Sequence, residues 1–285
     1  MRIVITGASG QLGSELKDLL LDNTEKECYF LDRKQLPLDQ IQIIQDILGM
    51  YQPDLIIHAG AYTAVDKAEE DQVNADLVNH LACEEIAQYC HLHGTRLIAI
   101  STDYVFDGSS ASALTETAET APINVYGQTK LAGEQAIQKW SPEAIIIRTS
   151  WVYSTYGKNF VKTMCRLMAE RDEVGVINDQ IGSPTYAKDL AAALLKIADS
   201  SKWEAGIYNY SNEGEISWYD FAVAIRDCRS FNCQVKPIPT SAYPTPARRP
   251  KYSLLDKSKI KSVFGVEVPH WEVSLAKMLA EEFEN

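Results

Sequence analysis

The chain has 285 residues, 46% hydrophobic and 23% charged, with 27 Lys and Arg against 39 Asp and Glu for a net charge of −12. This is the composition of an ordinary globular protein, long enough for one large domain or for a large and a smaller one sharing a cleft, and it excludes disordered and fibrous classes. So acidic a surface repels DNA and RNA, and an anionic ligand has to be met by local cations or helix N-termini. The six cysteines form no C-x-x-C pair, and several sit inside apolar helix or strand patterns, which fits a reducing cytoplasm. With no charged-then-apolar leader and no run of about 18 apolar residues, neither export nor a membrane span is expected.

In chain order, short apolar runs alternate with helical patterns: strand 3–5, helix 12–21, strand 29–31, helix 41–50, strand 55–57, helix 73–89, strand 97–100, helix 125–140 and strand 144–147. Gly94 and Pro53 stand just beyond two of these helices, where stop signals belong. Repeated strand, helix, strand predicts an α/β, doubly wound parallel sheet of the Rossmann kind. Past residue 148 the pattern loosens into helix 159–169, strand 174–177, helix 186–198 and strand 206–209, and the prolines between 236 and 250 predict a loop. The expected division is a dinucleotide-binding domain over 1–150 and, over 151–285, mainly a substrate lobe packed on the first domain and lending it strands or helices.

Gly7, Gly10 and Gly13 lie between the first strand and the first helix, where a tight turn, a close approach to pyrophosphate and close helix packing each disfavour a Cβ. The helix start near Gln11 then offers free N–H groups to phosphate. The spacing is G-x-x-G-x-x-G, which by itself is only suggestive. Asp32, at the end of the second strand, suits the ribose hydroxyls of NAD, and Arg33 beside it suits the 2′-phosphate of NADP, so both cofactors stay open.

The chemistry is carried by Tyr126-x-x-x-Lys130, which follows Ser101-Thr102-Asp103-Tyr104 at the end of the fourth strand. Four-residue helical spacing brings the phenol and the ammonium onto one face, with Cβ atoms about 5–6 Å apart. Carbonyl reduction needs a hydride at carbon and a proton at oxygen. Tyr126 can supply the proton, and Lys130 is expected to lower the phenol's pKa from about 10 towards the working pH and to hold the nicotinamide ribose. Thr102 lies where open sheets place ligands and can hydrogen-bond the same carbonyl oxygen. The histidines make no H-E-x-x-H or Cys/His cluster, so no metal is assigned from the residues themselves.

Thr6 to Gly13, Ala59 to Glu69, Ser101 to Gly108, Tyr126 to Glu134, Arg148 to Tyr153, Asp179 to Thr185 and Arg248-Arg-Pro250 together resemble the extended short-chain dehydrogenase/reductase family over nearly the whole chain. The resemblance implies an NADPH-dependent reductase, with NADH as the alternative, acting on the C4 keto group of a dTDP-sugar in polysaccharide biosynthesis. It implies catalytic Thr102, Tyr126 and Lys130. Gly7, Gly10, Gln11, Leu12, Gly13, Asp32, Arg33, Asp39, Gly60, Ala61 and Tyr62 would line the cofactor with Tyr126 and Lys130. Asp103, Trp151, Asn159 and Arg249 would face the nucleotide sugar with Thr102. Some relatives form a homodimer around Mg2+ held by glutamates, of which Glu15 could match one. Two rivals share the scaffold. Dehydratases resemble one another in a Thr-Asp-Glu triplet, which is here Thr102-Asp103-Tyr104, and epimerases return the hydride to the same sugar. The other rival is a non-catalytic NADP-binding subunit similar to the methionine adenosyltransferase β subunit, which the Tyr/Lys pair does not exclude.

Overall fold

A computed structural model describes residues 1–21 and 25–284. The first half runs β1 (Arg2–Thr6), α1 (Gln11–Leu20), β2 (Glu27–Leu31), α2 (Ile44–Tyr51), β3 (Leu55–His58), α3 (Val65–Ala68), α4 (Gln72–Asp76), α5 (Ala82–His93), β4 (Arg96–Thr102), α6 (Val125–Trp140) and β5 (Ile145–Thr149). The second runs β6 (Val152–Tyr153), α7 (Phe160–Glu170), β7 (Glu173–Ile177), β8 (Ile181–Gly182), β9 (Thr185–Tyr186), α8 (Ala187–Ala198), β10 (Gly206–Asn209), β11 (Ile216–Ser217), α9 (Trp218–Cys228), β12 (Gln234–Ile238), α10 (Ser258–Phe264) and α11 (Trp271–Glu284).

Six parallel strands form the main sheet in the order β10-β5-β4-β3-β1-β2. Their centres, such as Ile3 to Ile5, Leu55 to Ile57 and Ile145 to Ile147, are buried on both faces, which is why they read as unbroken apolar runs. Leu12 and Leu16 of α1 and Leu190, Leu194 and Ile197 of α8 cover one face, while Leu48 of α2 and Ile86 of α5 cover the other. The chain reverses direction across the sheet between β1 and β3, and the crevice beyond the strand ends there is where doubly wound folds bind their ligands. A third core, centred on Tyr153, Val161, Phe221 and Met278, belongs to the second half alone.

Three details depart from the sequence reading. The segment expected as one helix over 73–89 is α4 and α5 joined by a π-helical stretch, Leu77–Leu81. Pro237, expected in a loop, lies in β12, opposite Val176 of β7. A proline is tolerated there because β12 has a strand on one side only. Helices α9 to α11 went unread, although Ser217 and Asp220 form a complete capping box at the start of α9, a signal present in the sequence.

Candidate active site

The β1–α1 turn is built by exclusion of side chains. Gly7 has φ +69°, and a Cβ there would stand 2.6 Å from the Gly60 nitrogen, while one on Gly13 would stand 2.4 Å from the Gly7 carbonyl oxygen. The turn therefore lies directly on the backbone after β3. Gly10 caps α1 with extended backbone and no side-chain hydrogen bond, leaving the first N–H groups of the helix for an anion. Gly7, Gly10, Gln11, Leu12, Gly13, Gly60, Ala61 and Tyr62 all line one cleft of about 780 Å³, within the usual span of small-molecule sites.

Asp32, Arg33 and Asp39 border the same cleft. Asp32 Oδ1 accepts the N–H groups of Lys34 at 2.8 Å and Gln35 at 3.2 Å, which holds the turn after β2. Arg33 pairs with Asp39 at 2.6 Å, yet its side chain is 83% exposed and can swing to an incoming phosphate.

The reacting groups converge where β4 ends beside the start of α6. Thr102, Asp103 and Lys130 are buried, Tyr126 is partly buried, and all four border the cleft. Asn124 caps α6 by accepting the Gly127 N–H at 2.7 Å, and Glu69 accepts the Val125 N–H at 2.9 Å. The helix can lie this deep because two of its residues lack side chains: a Cβ on Gly127 would be 2.2 Å from the Tyr104 carbonyl oxygen, and one on Gly133 would be 2.1 Å from that of Asn79. Asn79 sits in the π-helical stretch and holds the Tyr62 backbone through its N–H at 2.8 Å and its carbonyl at 3.1 Å. The irregular turn thus joins the cofactor wall to the catalytic helix, a common use of π-turns.

Tyr104 meets the Tyr126 ring edge to face, with centroids 5.5 Å apart. Lys130 Nζ donates to the Ile100 carbonyl at 2.7 Å. Burial, and not the expected lowering by Lys130, is the largest influence on the phenol. Burial pushes Tyr126 up to about 12, with the Thr102 hydroxyl lowering it and Asp103 adding to the rise. Burial also lowers Lys130, against the influence of Cys83 and Glu134. Tyr126 is thereby kept as a neutral phenol, the form a proton donor needs.

The residues expected at the sugar divide. Trp151 borders the cleft with a left-handed backbone, φ +47°, and stacks on Trp218 at 3.7 Å between ring centroids. A bulky residue held at positive φ marks backbone strain, which clusters at functional sites. Asn159 is not on the cleft wall: it caps α7 by accepting the Lys162 N–H at 3.1 Å and donates to Gln11 Oε1 at 3.0 Å, so it reaches the site only through Gln11. Arg249 is not on the wall either, because its fork is taken by Asp66 at 2.8 and 3.1 Å. That clasp draws Asp66 below the usual carboxylate range. Asp103 Oδ2 is buried without a partner, and burial raises the carboxyl to about 6.

Sequence reasoning missed Asn79, Glu69, Trp218 and Asp66, whose roles rest on long-range partners. It also missed Glu134 as a structural centre. Glu134 pairs with Arg148 at 2.6 and 2.9 Å and accepts from Ser101 at 2.5 Å, so it bolts α6 to β4 and β5 from beneath. Its position one helical turn after Lys130 was the available signal.

At Glu15, the residue that the resemblance suggests for a metal, an ammonium is already close. Glu15 is buried, accepts from Ser154 at 2.6 Å, and feels the Lys188 ammonium and Glu281. Lys188 Nζ lies 2.8 Å from both Glu281 oxygens. An ammonium stands among the carboxylates, and among the described residues no group of three or more His, Cys, Asp or Glu could hold an ion.

A parallel sheet with a glycine turn at its switch point, and a Thr, Tyr and Lys gathered in the same cleft, defines an NAD(P)H-dependent oxidoreductase of the short-chain dehydrogenase/reductase type. The chain matches the RmlD substrate binding domain over residues 1–283 and belongs to that family. It is 40% identical to the dTDP-4-dehydrorhamnose reductase of Aggregatibacter actinomycetemcomitans, over 98% of each chain. Among solved structures, the dTDP-4-dehydrorhamnose reductase of Clostridium acetobutylicum superposes with a TM-score of 0.95 at 37% identity, covering 99% of both chains. The Bacillus anthracis reductase, solved in complex with NADP, superposes with a TM-score of 0.94 at 40% identity, over 98% of this chain and 99% of that one.

Proposed function

We propose that this chain reduces the C4 keto group of dTDP-4-dehydro-L-rhamnose to dTDP-L-rhamnose, with NADPH as the preferred donor and NADH as the alternative. The observation that carries the reading is the meeting of Thr102, Tyr126 and Lys130 at the end of β4, in the cleft that the glycine turn also lines. NADPH, when bound in this cleft, would supply the hydride that C4 needs. Tyr126 gives its phenolic proton to the carbonyl oxygen, and Thr102 holds that oxygen in line. Lys130, released from the Ile100 carbonyl, neutralises the phenolate left behind. Gly10 and the first turn of α1 take the pyrophosphate, and Arg33 takes a 2′-phosphate.

On the sugar side, Trp151 presents a ring braced by Trp218, and the unpartnered Asp103 oxygen accepts a hydroxyl. Arg249 reaches a diphosphate by leaving Asp66, and Asn159 acts by fixing Gln11. In this reading residues 1–150 bind the dinucleotide and most of 151–285 faces the sugar.

The test is NADPH consumption with the 4-keto nucleotide sugar, followed at the nicotinamide absorbance. Tyr126→Phe is expected to lower kcat by roughly 10²–10⁴ while leaving NADPH affinity nearly intact. Unchanged turnover would remove Tyr126 from the mechanism, and tight NADPH binding without consumption by the unaltered protein would mark a non-catalytic subunit.

A further inference from the structure

Two side chains of α6, one helical turn apart, hydrogen-bond into the end of β4. Lys130 Nζ donates to the Ile100 carbonyl at 2.7 Å, and Glu134 Oε1 accepts the Ser101 O–H at 2.5 Å. Tyr126, Lys130 and Glu134 recur at four-residue spacing and so share a face of the helix, while Ile100, Ser101 and Thr102 are consecutive on the strand. Ser101 points at α6 because side chains alternate along a strand, and Leu97 and Ala99 before it lie in the core that Ile137 of α6 joins. A carboxylate only accepts, so the serine hydroxyl gives its one proton to Glu134.

The Glu134 end of this bond is fixed. Arg148 donates to both of its oxygens, at 2.9 and 2.6 Å, and lies opposite Ser101 in the ladder between β4 and β5. The same guanidinium donates to the Glu116 carbonyl at 3.3 Å and stands over the Phe106 ring at 5.1 Å. Ser101, Glu134 and Arg148 are all buried, and a buried ion pair resists displacement because neither charge can return to water. The Ile100 end is different. Its partner Lys130 borders the cleft and is the ammonium that turnover draws away to the phenolate.

Resting on the reductase reading above, we propose that Glu134 is a positioning residue: through Ser101 it keeps Thr102 in register with Tyr126 while Lys130 is away from the Ile100 carbonyl. At rest the end of β4 has both bonds to the helix. During proton transfer it keeps the one to Glu134, which is anchored to β5 and takes no part in the chemistry. Glu134 itself does not border the cleft, so its influence on the reacting groups passes through the residue next to Thr102.

Changing Glu134 would strand the Arg148 charge and risk the fold, so the test is made at the other end of the bond. Ser101→Ala deletes the hydroxyl and leaves the ion pair in place. The readouts are the single-turnover rate with NADPH and the 4-keto sugar nucleotide both saturating, the NADPH Kd, the KM of the sugar nucleotide and the melting temperature. Ser101→Ala is expected to slow the single turnover roughly 10- to 100-fold, the cost of a displacement approaching 1 Å, with Kd and KM held within about twofold. Ser101→Thr keeps the donor and is expected to restore the rate. An alanine variant that turns over at the unaltered rate, whatever its melting temperature, would overturn the proposal. So would an affinity loss as large as the rate loss, which would make Ser101 a ligand contact or its removal a general loosening. Failure of the reductase reading is separate: it shows as no NADPH consumption by the unaltered protein, or as undiminished turnover in Tyr126→Phe.

Discussion

His58 is the residue through which the cofactor wall is tied to the sheet. It is buried, its Nδ1 shares a hydrogen bond with Thr6 Oγ1 at 2.7 Å, and its Nε2 meets Cys83 Sγ at 3.4 Å. Thr6 Oγ1 in turn accepts the Gly60 N–H at 3.2 Å. Burial pushes the imidazole down to about 3, so it stays neutral in the fold. The folded value lies below the unfolded one of about 6.5. Its contribution to stability is therefore complete above about pH 6.5 and falls on acidification by up to about 1.4 kcal/mol per pH unit, until the folded value is reached. Between pH 6 and 4, His58→Gln is expected to show a pH slope of urea-unfolding stability shallower by that amount; equal slopes would mean that the ring titrates normally. Arg33 belongs to this scale too. Arg33→Ala is expected to weaken NADPH more than NADH in titrations of each, and equal losses would exclude a 2′-phosphate contact.

Helix α6 acts as one rigid part, because the depth at which it lies sets the positions of Tyr126 and Lys130 together. Gly133→Ala would drive a methyl into the Asn79 carbonyl, whose oxygen lies 2.1 Å from the ideal Cβ, in a segment pinned to Tyr62 and to Thr129. Such overpacking costs about 1–3 kcal/mol, and a shift of about 1 Å in the catalytic pair costs about 100-fold in rate. Thermal melts and steady-state kinetics of Gly133→Ala are expected to show both losses. Gly49→Ala is the control: it has open space around it, lies inside α2, and is expected to be stabilising by up to about 1 kcal/mol. If the two variants melt and turn over alike, the close contact at Gly133 does not set the helix position.

Across the whole molecule, the second half meets the first in many contacts, two of which are a shared strand and a charged cluster. β10 completes the sheet beside β5, and the Glu15, Lys188 and Glu281 group links α1, α8 and α11. Since an ammonium already balances those carboxylates, chelation with EDTA is expected to leave melting temperature, elution volume and NADPH turnover unchanged. A higher melting temperature or turnover, or a smaller elution volume, on adding Mg2+ to chelated protein would show that the group takes a metal after all. Among the described residues no helix is long and apolar enough to cross a membrane, and all six cysteines are free.

The sequence by itself determined what depends on neighbours along the chain. Alternating periodicity specifies the parallel sheet, three glycines specify the turn at Gly7 to Gly13, and the helical repeat puts Tyr126 and Lys130 on one face after Thr102. These follow from local backbone geometry, where few conformations compete. Only the tertiary structure decided which partner each long side chain takes. The spacing along the chain does not show that the Arg249 fork pairs with Asp66, 183 positions away, or that the Asn159 amide bonds Gln11, 148 positions away, as well as the nearby Ser154 carbonyl. The same holds for the Lys130 bond to Ile100, for the π-turn that lets Gly133 pass Asn79, and for Pro237, which is tolerated because its strand lies at a sheet edge. Burial and charge pairing depend on which distant segments meet, and periodicity along the chain does not encode those meetings.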